Sequence, residues 1–261
     1  MFTRYGGNAL LETNMLPAHL DTSPMSFTGN IGYCSVCASQ STFIVKGEWL
    51  RDQYVCSKCG SIPRQRALTK LLSDIRPNWK SETVHESSPT LRLYAEQCDR
   101  YSYSFFFDDV ALGSFRDGHR CENLEALTFS DGSFDIFITQ DVLEHVFRPD
   151  RALAEITRVL REGGIHIFTA PKHKTLLKSR PRVQEVDGSR EYLLPPEYHG
   201  NPISELGSLV TWDYGADFDD LIQQWSGYNT CNFTIRDRRL GIDGEFLDVF
   251  VTTKHHSNRL S

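Results

Sequence analysis

Four cysteines in the N-terminal quarter of the chain constrain its fold more than any other feature. They form two Cys-x-x-Cys pairs, Cys34 with Cys37 and Cys56 with Cys59, separated by eighteen residues. Each pair bends the backbone so that both sulfurs face one point, and two pairs together supply the tetrahedral thiolate geometry that Zn²⁺ prefers. Because four protein ligands leave no open position on the metal, the spacing predicts a structural zinc ribbon.

A redox pair, or thiols without a shared role, would also account for these cysteines. The chain has seven cysteines in all, and the remaining three are scattered at Cys98, Cys121 and Cys231. The N-terminal residues lack the basic start and apolar core of a secretory signal. An odd number of cysteines without such a signal is typical of a reducing compartment, where paired cysteines bind metal. We therefore expect zinc and a cytoplasmic location.

The composition of the 261 residues is that of a globular protein, with 39% hydrophobic and 24% charged residues. This length allows one large domain and a small module. No apolar run reaches the length that spans a bilayer, so we expect no membrane partner. The net charge of -6 argues against a broad nucleic-acid-binding surface. Residues 172–182 concentrate positive charge, which either meets a phosphate-bearing acceptor or, more commonly, faces solvent.

From residue 82 onward, candidate strands and helices alternate along the chain. Short runs rich in β-branched and aromatic residues predict strands at TVHE, YSYSFFF, HRCENL, FDIFITQ and IHIFTAP. Apolar residues at helical spacing predict helices over 62–77, over 89–98 and from about Pro149. This alternation indicates an α/β fold with a doubly wound, mostly parallel sheet and right-handed crossovers.

The later part of the chain gives four further expectations. Gly163 and Gly164 are expected to end the helix that begins near Pro149. The stretch from residue 172 to about 210 is expected to be irregular. A helix is expected to end at Gly227, and the runs CNFTIRD and EFLDVFVTTK are expected to form a hairpin at one end of the sheet.

A family resemblance is carried by residues 121–171, which contain the stretch ENLEALTFSDGSFDIFITQDVLEHVFRPDRALAEITRVLREGGIHIFTAP. This stretch resembles the second half of class I S-adenosylmethionine-dependent methyltransferases, with Ser-Phe-Asp opening a strand, then Leu-Glu-His-Val, a helix and Gly-Gly. More narrowly, the chain looks like bacterial members that carry an N-terminal zinc ribbon and a His-Glu-Ser-Ser-Pro turn. The resemblance implies a lead over 1–30, a zinc ribbon with a linking helix over 31–80, and a Rossmann-like methyltransferase domain over 81–261.

The resemblance also implies a cofactor site for S-adenosylmethionine at the carboxyl ends of the strands, where doubly wound sheets bind ligands. The turn at Glu86, Ser87 and Ser88 would receive the amino-acid portion of the cofactor, although no Gly-x-Gly is present. The plainer alternative is a strand-to-helix cap, for which serine is well suited. Ser104 stands near the position of the acid that holds the ribose, and Asp108 follows it closely.

The next two strand ends would complete that cofactor site. After the third strand, Asn123 takes the place where the family often has Asp, and its carbonyl is able to accept a bond from the adenine amino group. Leu124 would flank the ring. Gln140 and Asp141 follow the clear strand FDIFITQ and would face the methionine portion and the acceptor. For Asn123 and Leu124, the alternative is an ordinary loop.

Two histidines are the candidates for proton transfer. His145 follows Asp141 by four residues, and either packs or contacts the acceptor. His199 belongs to residues 192–215, a loop rich in Tyr and Pro that suits a sugar, a nucleotide or a small aromatic acceptor. Histidine takes a hydroxyl proton near neutral pH, so His199 is the predicted general base, unless it only makes a structural hydrogen bond.

The predicted function is transfer of a methyl group from S-adenosylmethionine to a small-molecule or sugar-type (glycan) acceptor. The transfer is an in-line displacement that needs alignment of the groups rather than a catalytic metal. One alternative is a non-catalytic zinc-ribbon binding module on a degenerate methyltransferase fold, which the missing glycine motif favours. The other is a methyltransferase for RNA or protein that docks its substrate on the ribbon. The sequence carries no feature that predicts an oligomeric state.

Overall fold

The computed structural model describes residues 27–89, 94–201 and 204–255. Most of the predicted lead over 1–30 therefore lies outside the described residues. The predicted helix over 89–98 also falls partly outside them, and its residues 94–97 form a turn rather than a helix.

The described residues form seventeen strands and four α-helices. The strands are β1 Gly29–Cys34, β2 Ser39–Val45, β3 Tyr54–Cys56, β4 Thr83–Ser87, β5 Arg100–Phe105, β6 Phe115–Arg116, β7 His119–Cys121, β8 Phe134–Gln140, β9 Leu160–Thr169, β10 Arg180–Pro181, β11 Val183–Val186, β12 Ser189–Tyr192, β13 Tyr198–Asn201, β14 Ser204–Leu209, β15 Trp212–Asp213, β16 Thr230–Thr234 and β17 Asp248–Thr253. The helices are α1 Leu50–Gln53, α2 Pro63–Ile75, α3 Pro149–Val159 and α4 Phe218–Ser226, with 3-10 turns at Trp79–Ser81, Leu143–His145 and Arg238–Leu240.

The central element is an eight-stranded sheet in the order β16-β17-β9-β8-β4-β5-β7-β6. Strands β7, β5, β4, β8 and β9 run parallel to one another, while β17 is antiparallel to both β9 and β16. The strand order reverses direction along the chain next to β4, as it does in doubly wound folds. The predicted α/β fold with a mostly parallel sheet is confirmed, and so is the late hairpin at one end.

Helices cover both faces of this sheet because neighbouring side chains of a strand point to opposite faces. On β8, Ile136 joins a cluster with Leu68 and Leu72 of α2. The next residue, Phe137, joins a cluster on the other face with residues of α3 and α4, among them Leu153. Thus α2, the helix that follows the cysteine pairs, packs directly on the sheet.

The cysteine pairs lie in a three-stranded antiparallel sheet in the order β1-β2-β3. This small sheet packs against the loop between β16 and β17. The buried Arg66 guanidinium of α2 donates to the carbonyl oxygens of Gly241 (Nε at 3.0 Å) and Tyr54 (2.6 Å). Gly241 has a φ of +66°, and a Cβ there would lie 2.6 Å from the ring of Phe43. The small cysteine-containing sheet, called the ribbon below, therefore packs so closely against the large domain that residue 241 has no room for a side chain.

Two local expectations were wrong. Helix α3 ends at Val159 and β9 begins at Leu160, so Gly163 and Gly164 lie within the strand and do not end the helix. Leu160 pairs with Phe134 and Ile165 pairs with Ile136, so the intervening residues form a bulge. Gly163 adopts a φ of +78° there. Glycine permits that left-handed turn without a Cβ clash, which is the physical reason for its position.

The stretch after Pro171 is not irregular either. It contains the antiparallel pairs β11–β12, β13–β14 and β10–β15. Most described residues of these strands are exposed, so they show no apolar alternation that would predict a strand. Gly227 does end α4, with a left-handed φ of +75° as predicted. No helix within the described ranges is both long and apolar enough to cross a bilayer.

Candidate active site

A cleft of about 1280 Å³ opens at the carboxyl ends of β4, β5, β7 and β8. Three parts of the chain form most of its walls. The strand ends contribute Ser87, Ser88, Phe105, Asn123, Leu124, Gln140 and Asp141; the ribbon and the start of α2 contribute Trp49, Arg51, Asp52, Ile62 and Arg64; and the segment from β13 to β15 contributes Tyr198, His199 and residues 207–213. The ribbon is therefore part of the cleft.

The turn after β4 bends sharply although it contains no glycine. Ser88 has a φ of +53°, in the left-handed region that glycine usually occupies. Its backbone N–H donates to the carbonyl oxygen of Ser104 at 2.8 Å. Ser87 and Ser88 both line the cleft. The turn thus brings backbone close to the cleft in the way that a glycine-rich turn does, with two small hydroxyl side chains added.

Two predicted cofactor residues, Glu86 and Ser104, do not line the cleft. Their side chains are buried beside the strands rather than projecting from the strand ends. Glu86 accepts hydrogen bonds from Tyr101 (2.6 Å) and Gln140 (2.9 Å). The hydroxyl of Ser104 lies 3.0 Å from Nε2 of His85. At the end of β5 the cleft is lined instead by Phe105, Phe106 and Asp108.

Burial raises the pKa of Glu86 to about 7, against the opposing effect of the hydrogen bonds from Tyr101 and Gln140. In the unfolded chain the pKa of this carboxyl is about 4.3. Between these two pH values the folded state binds more protons than the unfolded state, so the stability contributed by Glu86 falls as pH rises.

The substitution Glu86→Gln is expected to remove this loss. Raising the pH from 5 to 8 should favour the variant over the parent by up to about 3 kcal/mol of unfolding free energy. Urea unfolding at several pH values measures the difference. The exposed Glu96→Gln is the matched control and should show no such trend. A pH-independent difference between Glu86→Gln and the parent would contradict the prediction.

Asn123 and Leu124 stand where the adenine was predicted to lie. Leu124 is buried, and Oδ1 of Asn123 accepts a bond from the Glu125 N–H at 2.9 Å. A carbonyl oxygen has two lone pairs, so this bond leaves one for a ligand. The Glu125 carboxylate accepts from the backbone N–H groups of Phe147 (2.8 Å) and Arg148 (3.1 Å), which fixes the loop against the next wall of the cleft.

Asp141 is held between two arginines that sequence reasoning missed. Its carboxylate pairs with Arg51 and lies 3.0 Å from Nε of Arg64, and it accepts a 2.8 Å bond from the hydroxyl of Thr169. Burial alone would raise the pKa of Asp141, but the charges of Arg64 and Arg51 outweigh it and hold the pKa well below its usual range. Asp141 is therefore ionised and joins the ribbon to the end of β8.

His145 and His199, distant in sequence, are brought together where the cleft meets the hairpin β13–β14, with ring centroids 5.3 Å apart. Nδ1 of His145 lies 2.9 Å from the carbonyl oxygen of Leu209, and Nε2 of His199 lies 3.5 Å from the carboxylate of Glu197. Burial lowers the pKa of His145 to about 4, so its ring is neutral at pH 7. The two predicted histidines thus form one cluster.

Glu144 completes this cluster, and sequence reasoning did not single it out. Its side chain is buried, and neither carboxylate oxygen has a hydrogen-bond partner among the described residues. Oε1 lies 3.9 Å from Nε2 of His145 and 4.0 Å from Nδ1 of His199. Burial raises the pKa of Glu144 well above its ordinary value. The available signal was its position beside His145 in the Leu-Glu-His-Val motif.

The four paired cysteines converge as their spacing predicts. All four sulfurs lie within 4.8 Å of one another, with Cys34 and Cys59 separated by 3.8 Å and Cys37 and Cys56 by 4.0 Å. Sulfurs around one tetrahedral zinc at about 2.3 Å lie about 3.8 Å apart. The cysteine cluster therefore has the dimensions of a zinc site.

The comparisons with known proteins agree with this geometry. Residues 88–168 match the family described as "Methyltransferase domain", which is under a third of the chain. An O-methyltransferase of ubiquinone biosynthesis from Sinorhizobium fredii is 29% identical over 118 residues, covering 41% of this chain and 47% of the relative. The corresponding protein of Sinorhizobium medicae is 28% identical over 127 residues, covering 44% and 51%. The chain spans about half the length of these relatives.

Among solved structures, an amino pentose methyltransferase from Micromonospora echinaspora with bound S-adenosylmethionine shares 12% identity. The alignment covers 75% of this chain and 92% of that chain with a TM-score of 0.48. The family match runs from the turn after β4 into β9 and so contains β5, β7 and β8, three of the four strands whose ends form the cleft. Residues 88–168 are therefore similar to a methyltransferase domain.

Proposed function

We propose that the protein transfers a methyl group from S-adenosylmethionine to an oxygen of a small-molecule or sugar-type acceptor. The observation that carries this proposal is the composition of the cleft: strand ends that suit the cofactor form one wall, and a histidine cluster forms the other. The relatives with O-methyltransferase names support an oxygen acceptor. The net charge of -6 favours a small acceptor over nucleic acid.

The cofactor would lie along the ends of β4, β7 and β8. The backbone of Ser87 and Ser88 would contact its amino-acid portion, Asn123 and Leu124 its adenine, and Gln140 its methionine side. Glu86 would not contact the cofactor itself but would position Gln140, whose side-chain amide donates a 2.9 Å hydrogen bond to the Glu86 carboxylate. Phe105 and Asp108, which line the cleft at the end of β5, would take the place of Ser104 beside the ribose.

The acceptor would lie between the cofactor and the hairpin β13–β14. The transfer is an in-line displacement whose leaving thioether is neutral, so the protein mainly aligns the acceptor oxygen, the methyl group and the sulfur. His199 has 39% of its side chain exposed, so an acceptor is able to reach it, and it is the candidate that takes the hydroxyl proton. Asp141 would hold Arg51 and Arg64 in the wall beside the acceptor.

The cysteine cluster would hold a structural zinc ion that keeps the ribbon wall of the cleft in place. The donor set of four cysteines fits zinc, whose role there is to fix the fold and not to take part in the reaction. The described cysteines are all free thiols. Such thiols are typical of a reducing compartment, which supports a cytoplasmic location.

A non-catalytic binding module is the second candidate, and one observation favours it: the turn after β4 lacks glycine. The left-handed φ of Ser88 weighs against it, because the turn keeps the shape that a cofactor turn needs. A methyltransferase that docks RNA or protein on the ribbon is the third. In that case a macromolecule would compete with a small acceptor for the ribbon wall.

Calorimetric titration of the zinc-loaded protein with S-adenosylmethionine tests the proposal. The parent should bind, and Asn123→Ala and Ser88→Trp should each weaken binding by about tenfold or more, by loss of a hydrogen bond and by a steric block. The exposed Asn78→Ala and Ser130→Trp are matched controls and should bind like the parent. Absence of binding by folded, zinc-loaded protein, with and without candidate acceptors, would favour the binding module.

A further inference from the structure

The cluster of Glu144, His145 and His199 has a second property that a proton-transfer site does not need. One ligand atom from each side chain lies within 4.8 Å of the other two. Two ligand atoms bound to one tetrahedral ion at about 2.1 Å lie about 3.4 Å apart. The 3.9 and 4.0 Å separations from the Glu144 carboxylate exceed this by about half an ångström, so small rotations of all three side chains would bring them to binding distance.

Hydrogen bonding fixes which histidine nitrogens are free. Nδ1 of His145 lies 2.9 Å from the carbonyl oxygen of Leu209, which accepts only, so Nδ1 carries the proton and Nε2 keeps its lone pair. Nε2 of His199 faces the Glu197 carboxylate at 3.5 Å, which favours the proton on Nε2 and the lone pair on Nδ1. Both lone pairs therefore face the Glu144 carboxylate. Metal-binding histidines are oriented in the same way, by a partner on the other nitrogen.

Glu144 provides an independent observation. It is 0% exposed, and within the described part of the chain both of its oxygens lack a hydrogen-bond partner. A buried carboxylate without a partner is costly, and such groups in proteins are paired or bind metals. The nearby guanidinium groups of Arg51 and Arg64 are bound to Asp141 instead. The carboxylate of Glu144 thus faces two imidazole lone pairs and no donor from the residues that the structure describes.

We propose that Glu144, His145 and His199 bind a divalent transition-metal cation in the acceptor half of the cleft. Two imidazoles and one carboxylate form a ligand set that suits Zn²⁺, Fe²⁺, Mn²⁺ and Co²⁺, and three protein ligands leave positions open for other oxygen atoms. This site is separate from the four-cysteine cluster, whose thiolates select zinc and leave no open position.

The role of the ion in the reaction rests on the proposed function, whereas binding of the ion does not. An ion held by these three side chains would lower the pKa of an acceptor hydroxyl bound to it, so that the hydroxyl would lose its proton to water while its oxygen displaces the thioether from the methyl group. His199 then holds the ion instead of taking the proton, because both roles use the same Nδ1 lone pair. The acceptor class is an oxygen donor that is able to bind a cation.

The proposal is tested by titrating the zinc-loaded protein with Mn²⁺. The electron paramagnetic resonance signal of free Mn²⁺ measures how much of the ion is bound. Mn²⁺ prefers carboxylate and imidazole to thiolate, so it reports this site without displacing zinc from cysteine. The parent should bind one Mn²⁺ per chain. Glu144→Gln and the half-exposed His199→Ala should each weaken binding at least tenfold. His173→Ala, another cleft histidine that packs on Phe246 outside the cluster, should leave binding unchanged.

The circular dichroism spectrum and S-adenosylmethionine affinity of each variant establish that it is folded. Failure of the parent to bind Mn²⁺ or Co²⁺, or equal binding by the parent, Glu144→Gln and His199→Ala, would overturn the metal site. Because the manganese signal is recorded without S-adenosylmethionine, ion binding with no cofactor binding would reject the proposed function and keep the metal site. Cofactor binding without ion binding would reject the metal site and leave the proposed function standing.

Discussion

Removing the metal from the four-cysteine cluster is expected to unfold the ribbon and to take one wall of the cleft with it. The apolar core of the ribbon is small, with five buried residues, and two of those, Cys34 and Cys56, belong to the four-cysteine cluster. Structural zinc contributes roughly 10–16 kcal/mol of apparent binding energy in small zinc domains. If the cluster binds zinc as proposed, most of the stability of the ribbon would depend on the ion.

The variant Cys56→Ser and treatment of the parent with a chelator should both lower the melting temperature and weaken S-adenosylmethionine binding, because Arg51 and Arg64 would no longer hold Asp141, the residue next to Gln140. Zinc content, thermal melting and calorimetry measure the three effects on one preparation. Cys231→Ser removes an exposed cysteine outside the cluster and is the matched control. If metal-free parent protein melts and binds like the metal-loaded form, the cluster is not a structural zinc site.

The second large effect is expected from Asp141→Ala. This change leaves Arg51 and Arg64, whose side chains are only 10% and 11% exposed, with Asp52 as their remaining shared partner, at 3.4 Å from each and 40% exposed. Removing one partner of a buried ion pair typically costs about 3–5 kcal/mol, because a charge stays buried and uncompensated. Chemical denaturation should show a loss of that size in the free energy of unfolding.

Two further variants separate the charge effect from general damage to the fold. Asp150→Ala breaks an exposed ion pair with Arg148 and should cost less than about 1 kcal/mol. Adding Arg51→Met and Arg64→Met to Asp141→Ala should recover a large part of the lost stability, because the two buried arginine charges are then removed together with their partner. A triple variant no more stable than Asp141→Ala would show that the ion pairs are not the source of the loss.

The features that the sequence predicted correctly rest on local patterns. The apolar run of β8 and the four-residue spacing in α3 are each visible within a short window of chain. The cysteine pairs are also predictable from a short window, because Cys-x-x-Cys fixes the direction of two sulfurs within four residues. The mostly parallel character of the sheet likewise follows from the alternation of strands and helices along the chain.

The features that the sequence did not predict depend on distant contacts or on side-chain direction. Arg51 meets Asp141 across 90 positions of sequence, and no local pattern marks that pairing. Glu86 and Ser104 lie close to strand ends, yet their side chains are buried beside the sheet and do not reach the cleft. A shift of one residue along a strand reverses the direction of the side chain, so position near a strand end alone does not decide it.

The strand order of the central sheet has a consequence for how the protein is made. Strand β17 lies between β9 and β16, yet it is the last of the described strands that the chain supplies. During synthesis, β16 has no neighbour to pair with until β17 has left the ribosome, because among these strands β17 alone joins it to the sheet. Val249 and Phe250 of β17 are also fully buried. A transcript cut short before this strand would thus yield a ribbon and most of a sheet, but no completed domain.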